Sequence, residues 1–236
     1  MNKLPEPENE LSEILPGAPL LHYEAPELGK NYWVVDDYLP NAREVSNRCF
    51  NAKRWKKGLP YTSEKWPGMR TNKALKKTEL IELENHVKSL TGATKLWLPE
   101  TSPGVMLDSN VAQLVGEHES SAIPHTDSRI LTRLAAVIYL NPEPLKEAGT
   151  SFYRLRYPNG AIGGNMVTDP YNNLRDALNV QRLPAEAWHE DCYVENKFNR
   201  LLLYKANMVH SATRYFGREK RDKRLTALFF WMADLP

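Results

Sequence analysis

A series of short, apolar, strand-like segments in the second half of the chain limits the possible folds more than any other feature. Six segments after Gly92 are rich in β-branched, aromatic and leucine residues, and Gly, Pro, Asn and Asp separate them. They are residues 94–100, 110–117, 133–141, 149–156, 200–206 and 224–232. Many short strands separated by turn residues are typical of sandwiches and barrels. This part of the chain is therefore predicted to form a double-sheet jelly roll.

Helical patterns come before this series. The clearer one spans residues 78–92, where apolar residues recur at helical spacing and Gly92 occupies the position of a C-cap glycine. A strand is predicted over residues 32–39 and a second helix over residues 43–55. Residues 1–30 are rich in proline and are expected to be mostly extended on the surface, while residues 56–72 are loop-like.

Helices followed by many short strands indicate an α+β chain. We predict one domain over residues 1–236, in which residues 1–93 support the jelly roll and residues 94–236 form it. Residues 157–199 interrupt the strand pattern with several glycines and one short helical stretch, and are interpreted as an insertion between strands.

The overall composition excludes several classes of protein. The formal net charge of +2 is too small to indicate nucleic acid or an anionic membrane as the main partner. Cys49 and Cys192 are too few for a disulfide framework and fit a reducing compartment. The sequence shows neither a signal-peptide pattern nor an apolar run of roughly 20 residues that would span a bilayer, so a cytoplasmic location is expected.

A His-x-Asp motif lies between two of the predicted strands, at His125, Thr126 and Asp127. Because successive side chains of an extended segment point to opposite faces, His125 and Asp127 share a face and are able to bind one metal ion. His210, which follows the segment 200–206, supplies a third ligand. Two histidines and one carboxylate on one side of a metal form the facial triad of non-haem iron(II) oxygenases, which leaves positions open for co-substrate and oxygen.

Chance offers a competing explanation of this motif, since an isolated His-x-Asp occurs often and His125 is then a surface histidine held by Asp127. The order of the surrounding features favours the metal site. An apolar strand ending at Asn141 follows the motif, then a turn and the segment 149–156, then the strand before His210, and finally an arginine at the start of the last strand.

Arg224 and Thr226 begin that last strand and share a face, because they are two residues apart. A buried guanidinium requires a carboxylate or phosphate partner, and its planar fork matches a carboxylate in two parallel hydrogen bonds. The hydroxyl of Thr226 adds one more donor. The alternative places Arg224 in the solvated basic turn 217–224, but the apolar strand directly after it argues against this.

In this order and spacing, the motifs resemble those of the iron(II)- and 2-oxoglutarate-dependent oxygenase superfamily, particularly its prolyl-hydroxylase-like members. The resemblance covers about residues 95–232. The matching elements are His125-Thr126-Asp127, Tyr139-Leu140-Asn141, Gly149-Thr150-Ser151-Phe152-Tyr153, His210 and Arg224-Leu225-Thr226. One departure is the gap of 14 residues from His210 to Arg224 (224 − 210), which is longer than usual for the family. The turn GREKRDK would absorb the difference, and Arg214 is the rival anchor.

The resemblance implies a double-stranded β-helix that holds iron(II) on His125, Asp127 and His210. It also implies that 2-oxoglutarate chelates the metal and that its distal carboxylate pairs with Arg224 and Thr226. Hydroxylation of a C–H bond by O2 is the default outcome, with desaturation or ring closure as alternatives. The presence of Asp127 argues against a halogenase, because those relatives leave that ligand position free for halide.

Tyr139 has two competing interpretations. It lies in the segment 133–141, and either face of that strand is able to line the pocket. In similar oxygenases a tyrosine at this position often bonds the co-substrate, whereas a core tyrosine with a satisfied hydroxyl is an equal alternative.

Two other classes of function compete with the oxygenase. A non-catalytic binding protein would hold a metal or a small acid, but the apparent full set of three ligands together with Arg224 speaks against it. A metal-binding, cupin-like isomerase or a 2-oxoglutarate-independent dioxygenase needs no arginine at the start of the last strand. The loop 56–72 and the insertion 157–199 would shape the mouth of the barrel, and their residues suit an amino acid, a peptide side chain or a polar natural product.

Overall fold

A computed structural model describes residues 21–157, 160–180 and 183–236, so the extended structure predicted for the first 20 residues lies outside the described part. The helices are α1 (Ala42–Phe50), α2 (Lys77–Thr91) and α3 (Leu174–Leu178), and a 3-10 turn covers Ala185–Ala187. The strands are β1 (Tyr32–Val35), β2 (Lys56–Lys57), β3 (Met69–Asn72), β4 (Lys95–Trp97), β5 (Glu100–Ser102), β6 (Val105–Met106), β7 (Val111–Val115), β8 (Leu134–Tyr139), β9 (Thr150–Leu155), β10 (Trp188–Val194), β11 (Leu201–Lys205), β12 (His210–Ala212) and β13 (Arg224–Asp234). None of the described helices is long and apolar enough to cross a membrane.

Two antiparallel sheets face each other. The large sheet has the strand order β1-β11-β8-β13-β7-β3-β2, with β4 paired to the end of β13, and the small sheet has the order β10-β9-β12. Phe152 of β9 lies between them, with its ring centroid 5.5 Å from that of Tyr32 and 5.6 Å from that of Tyr204. The predicted double-stranded β-helix is confirmed by this pair of facing sheets.

The helices cover the other face of the large sheet. Every second side chain of β13 points toward the helices. Three of them are almost completely buried in one apolar cluster with residues of α1 and α2, namely Leu225, Phe229 and Trp231. This period of two is the expected pattern of a strand that is packed on both faces by different partners. The predicted supporting role of the two N-terminal helices is thus visible in the packing.

Both predicted helices form. Helix α2 ends at Gly92 in the left-handed conformation, with φ 74°, and the Gly92 N–H donates to the Lys88 carbonyl at 2.9 Å. Helix α1 stops at Phe50 rather than near residue 55, because the chain must leave the helix before Lys56 can pair with β3. An ion pair of 2.6 Å between Arg48 and Glu79 joins the two helices.

Strand β1 lies within the strand predicted over residues 32–39 and joins the large sheet at one edge. Two regions differ from the sequence expectation. Residues 56–72, predicted as loop, contribute β2 and β3 at the other edge of this sheet. The insertion 157–199 contains β10, which pairs with β9 through a register shift between Glu190 and Cys192. Strands β3 and β10 carry many polar residues and are partly exposed, so they lack the apolar pattern from which a strand is recognised.

Candidate metal centre and adjoining anion site

His125, Asp127 and His210 come together in space. Each offers one ligand atom, and these atoms all lie within 4.8 Å of one another. His210 begins β12, and its backbone forms an antiparallel bridge with His125 through N–H···O bonds of 3.0 and 2.8 Å. The Asp127 N–H donates to the carbonyl of Ala206 at 3.0 Å. Both backbone partners of the His-x-Asp segment therefore come from the chain around β12, and this pairing brings the three side chains together.

The two imidazoles are held in the tautomer that a metal site needs. Nδ1 of His125 lies 2.8 Å from the carbonyl of Ile123, and Nδ1 of His210 lies 2.8 Å from the carbonyl of Met208. A carbonyl oxygen only accepts, so each Nδ1 carries the proton and donates it. The lone pair of each ring is then on Nε2, and the backbone bond fixes the direction in which it points.

Electrostatics disfavours a proton on His210. Burial of the ring, followed by the nearby His125, lowers the pKa of His210 to about 3. Its Nε2 lies 4.0 Å from Oδ2 of Asp127, and with a neutral imidazole this contact is not an ion pair but two electron-pair donors facing each other. Burial raises the pKa of Asp127, although the charges of His125 and Arg70 oppose that shift.

Oδ2 of Asp127 is buried and has no hydrogen-bond partner among the described residues. A buried carboxylate oxygen without a partner is costly, and a second acceptor beside it increases the cost. A cation at the meeting point of Oδ2 and the two Nε2 atoms removes both penalties. The residues present therefore fit a transition-metal ion, and two nitrogens with one carboxylate match the ligand set of the facial triad.

Arg224 lies on the inner face of β13 and is 4% exposed. Its Nε donates to the carbonyl of Ala148 at 2.9 Å, one Nη donates to that of Gly149 at 3.2 Å, and the guanidinium lies 5.5 Å from the ring centroid of Tyr139. Gly149 packs closely against the end of β10, since a Cβ there would lie 2.0 Å from the carbonyl oxygen of Val194. No described carboxylate forms an ion pair with Arg224, so its charge is available to an anion.

Thr226 and Tyr139 are opposite each other on neighbouring strands, and both face the interior between the sheets. The Thr226 hydroxyl is buried and has no partner within the described residues. Tyr139 donates its hydroxyl to Oγ1 of Thr150 at 2.8 Å, and burial is the main cause that raises its pKa. The structure thus selects the inner face for Tyr139, where its hydroxyl is bonded inside the protein and its ring contacts Arg224.

Asn141 explains how Arg224 reaches its place after the long gap from His210. Its Nδ2 donates to the carbonyl of Lys223 at 2.8 Å, and its Oδ1 accepts from the N–H of Leu225 at 2.7 Å. The side chain of Asn141 therefore holds the backbone on both sides of Arg224, and the turn before it is left outside the barrel. Arg214, the rival anchor, is exposed.

Three further residues border the same interior and were not singled out from the sequence. The Tyr204 ring lies 4.5 Å from that of His210, and burial raises its pKa well above the usual value. Arg70 and Gln113 continue the cross-strand row that contains Thr226. Tyr204 is two residues from Leu202 on β11, so the sequence places both side chains on one face of that strand, and this spacing could have indicated Tyr204. The loop-like segment 56–72 has no pattern that would have indicated Arg70.

Residues 19–231 match the family described as "Family of unknown function (DUF6445)". The chain belongs to this family. No curated protein matches it.

Several solved structures resemble this fold at low sequence identity. A prolyl-4-hydroxylase from Pseudomonas putida is 14% identical with a TM-score of 0.46, and the match covers 87% of this chain and 94% of that one. HygX from Streptomyces hygroscopicus, solved with nickel, 2-oxoglutarate and hygromycin B, is 15% identical with a TM-score of 0.48, covering 86% and 83%. The epimerase SnoN, solved with Fe3+, alpha ketoglutarate and nogalamycin RO, is 16% identical with a TM-score of 0.49, covering 86% and 79%.

Proposed function

We propose that the protein is an iron(II)- and 2-oxoglutarate-dependent dioxygenase that hydroxylates an unactivated C–H bond of an amino acid, a peptide or a natural product. One observation carries the proposal. Two Nδ1-anchored histidines direct their free nitrogens toward a buried carboxylate oxygen that has no partner within the described chain, and this arrangement lacks only a metal ion.

In this proposal His125, Asp127 and His210 are the metal ligands, and the protein keeps them ready before the metal arrives. The carbonyls of Ile123 and Met208 hold the rings so that little reorganisation accompanies binding. The low pKa of His210 keeps its nitrogen unprotonated at neutral pH, so no proton has to leave that ring. Bound iron(II) with 2-oxoglutarate and O2 supplies oxidation of a C–H bond, with succinate and carbon dioxide as co-products.

The co-substrate is assigned to the anion site on the inner face of β13. Within the described part of the chain, the buried guanidinium of Arg224 is bonded only to neutral carbonyls, so a carboxylate would complete its hydrogen bonding and balance its charge. The unpartnered hydroxyl of Thr226 is a donor on the same face of the strand. Tyr139 shapes the wall beside Arg224 through its ring, while its hydroxyl remains with Thr150.

Succinate release tests this function. Purified protein loaded with iron(II) is incubated with 2-oxoglutarate and oxygen, and succinate is measured with and without the metal. We expect slow metal-dependent release of succinate in the absence of a substrate, and loss of that release in an Asp127→Ala variant. A protein that binds metal but releases no succinate and does not bind 2-oxoglutarate would instead be a cupin-like isomerase or a binding protein.

A further inference from the structure

A cavity beside the candidate metal centre is lined by polar residues to which neither the metal nor the co-substrate has been assigned. This cavity of about 460 Å³ has Asp127, Ser128, Arg70 and Trp66 among its lining residues. The rest of its apolar lining comes from Phe230, Leu131, Val105, Met106 and Leu107. This volume is within the range of small-molecule sites, and the cavity reaches a candidate metal ligand directly.

Arg70 is the unusual residue in this wall. It lies on the inner face of β3, opposite Gln113, and its guanidinium carbon lies over the Trp66 ring, 4.8 Å from the centroid. Its Nε is buried without a hydrogen-bond partner, and no hydrogen bond or ion pair joins the guanidinium to any residue in the described ranges. Burial lowers the pKa of Arg70 to about 10, against the opposing charges of Asp108 and Asp127, which leaves it charged at neutral pH.

Asp108 and Asp127 are near enough to raise the pKa of Arg70, but neither forms an ion pair with it, and each has another cation to balance its charge. Lys56 and Asp108 form an ion pair of 3.1 Å and cancel each other. In the proposed enzyme, a divalent metal, Asp127, the dianion 2-oxoglutarate and Arg224 also sum to no net charge. One positive charge then remains at the cavity wall, on a planar side chain that lies over an aromatic ring and is therefore restrained in orientation.

We propose that Arg70 binds the carboxylate of the primary substrate, which is therefore a small organic acid whose apolar body fills the cavity beside Asp127. The inference rests on the proposed function, because Arg70 is free for a substrate only if the co-substrate takes Arg224. The contact with the Trp66 ring restrains the guanidinium, so two parallel hydrogen bonds to a carboxylate require less ordering on binding. Leu131 and Phe230 provide apolar surface for the remainder of the molecule.

Benzoate and benzamide are suitable probes, because they have nearly the same shape and differ in charge. The full chain is loaded with Mn(II), which replaces iron without turnover, and with saturating 2-oxoglutarate, which blocks the Arg224 site. Titration calorimetry then measures the affinity for each probe. We expect benzoate to bind roughly ten- to a hundredfold more tightly than benzamide, as a charge-assisted contact predicts.

Variants separate Arg70 from the rest of the protein. Arg70→Met should abolish the preference for benzoate, and Arg70→Lys should keep only part of it, since an ammonium makes no two-pronged contact. Arg218→Met, which removes an arginine with 78% side-chain exposure, should keep it fully. A wild-type protein without a preference for benzoate would overturn the inference, as would an Arg70→Met or Arg70→Lys protein that keeps the full preference.

Binding of 2-oxoglutarate to the metal-loaded protein is measured first and tests the proposed function separately. If 2-oxoglutarate binds and benzoate shows no preference that depends on Arg70, the inference fails while the proposed function stands. If 2-oxoglutarate does not bind, the proposed function fails and the inference falls with it.

Discussion

The two faces of the large sheet are built from the same strands and differ in whether their polar side chains have partners within the protein. On the outer face of β13, Phe229 and Trp231 pack against the helices, and the Trp231 indole N–H donates to a carboxylate oxygen of Glu84 at 3.1 Å. On the inner face, Arg224 has no acidic partner and the Thr226 hydroxyl has no partner within the described residues. The outer face of this strand is completed by the protein itself, whereas the inner face has donors that a ligand would complete.

This difference teaches how one sheet separates stability from function. Residues that alternate along a strand are covalent neighbours, yet they meet different surroundings because successive side chains point in opposite directions. Changes on the outer face should therefore alter the free energy of unfolding, and changes on the inner face should alter ligand binding. Five predictions test that separation, and they are ordered from the largest expected effect to the smallest.

The largest effect is expected at the candidate metal centre. His210→Ala removes one of three ligand atoms and should reduce iron bound per chain below about one tenth, with complete loss of succinate release. Iron content after gel filtration and succinate yield are the measurements. His118→Ala, which changes a histidine with 75% side-chain exposure, is the matched control and should retain both. Full iron content and turnover in the His210→Ala protein would show that the ligand assignment is wrong.

The next effect belongs to the outer face. Phe229 is fully buried against the helices, so Phe229→Ala should lower the free energy of unfolding by about 3–5 kcal/mol. Chemical denaturation measures this, and the affinity of the folded fraction for 2-oxoglutarate should change less than about twofold. Val105→Ala, at a residue that is 53% exposed, should change stability by less than about 0.5 kcal/mol. A large loss of co-substrate affinity in Phe229→Ala would contradict the separation of the two faces.

The inner face is tested by Arg224. Arg224→Ala should raise the apparent 2-oxoglutarate constant about 100-fold, the equivalent of a charge-assisted contact worth ~2–3 kcal/mol, and should leave iron binding nearly unchanged. Arg224→Lys should recover only part of the affinity. Arg214→Ala serves as control, because Arg214 is exposed. If Arg214→Ala shows the large effect and Arg224→Ala does not, the co-substrate is anchored outside the barrel.

A change at Thr226 should have a smaller effect, in which the stability of the ligand-free protein is kept or raised while the affinity for 2-oxoglutarate falls. Thr226→Val replaces a buried, unpartnered hydroxyl by a methyl group of similar size, so the ligand-free protein should be equally stable or more stable by up to ~1 kcal/mol. The affinity for 2-oxoglutarate should fall roughly fivefold, since one neutral hydrogen bond is lost. A destabilised protein with unchanged affinity would mean that the hydroxyl serves the fold and not the ligand.

The smallest effect concerns the packing of the helices against the outer face of the large sheet, where Cys49 is buried. Burial raises the pKa of Cys49 to about 12, so at pH 8 only roughly one molecule in 10,000 carries the reactive thiolate. Iodoacetamide at pH 8 should leave Cys49 unmodified by mass spectrometry, and its rate should rise with pH as the thiolate fraction rises. Denatured protein is the control and should react completely. Rapid labelling of Cys49 in the folded protein would show that the helices open.

Local sequence patterns predicted a large part of the fold. The stripe of apolar residues in α2 and its end at Gly92 depend on contacts within one helix, and the alternation along β13 depends on one strand. The structure confirms both. The sequence also indicated the three candidate ligands, because the spacing of His125 and Asp127 defines a shared face in any extended segment and His210 follows the strand-like segment 200–206. Their metal-binding role stays a prediction that the variants above test.

Other features were decided by pairings between distant parts of the chain. Strand β3 is polar and short, and it becomes a strand because β7 offers it hydrogen bonds. The inner position of Tyr139 was open in the sequence, since both faces of β8 are apolar, and only the opposing small sheet and helices distinguish them. Arg70 reaches the cavity through the same pairing of β3 with β7. Sequence periodicity determines which residues share a face, but the energy of burying that face depends on its partner, which only the tertiary structure supplies.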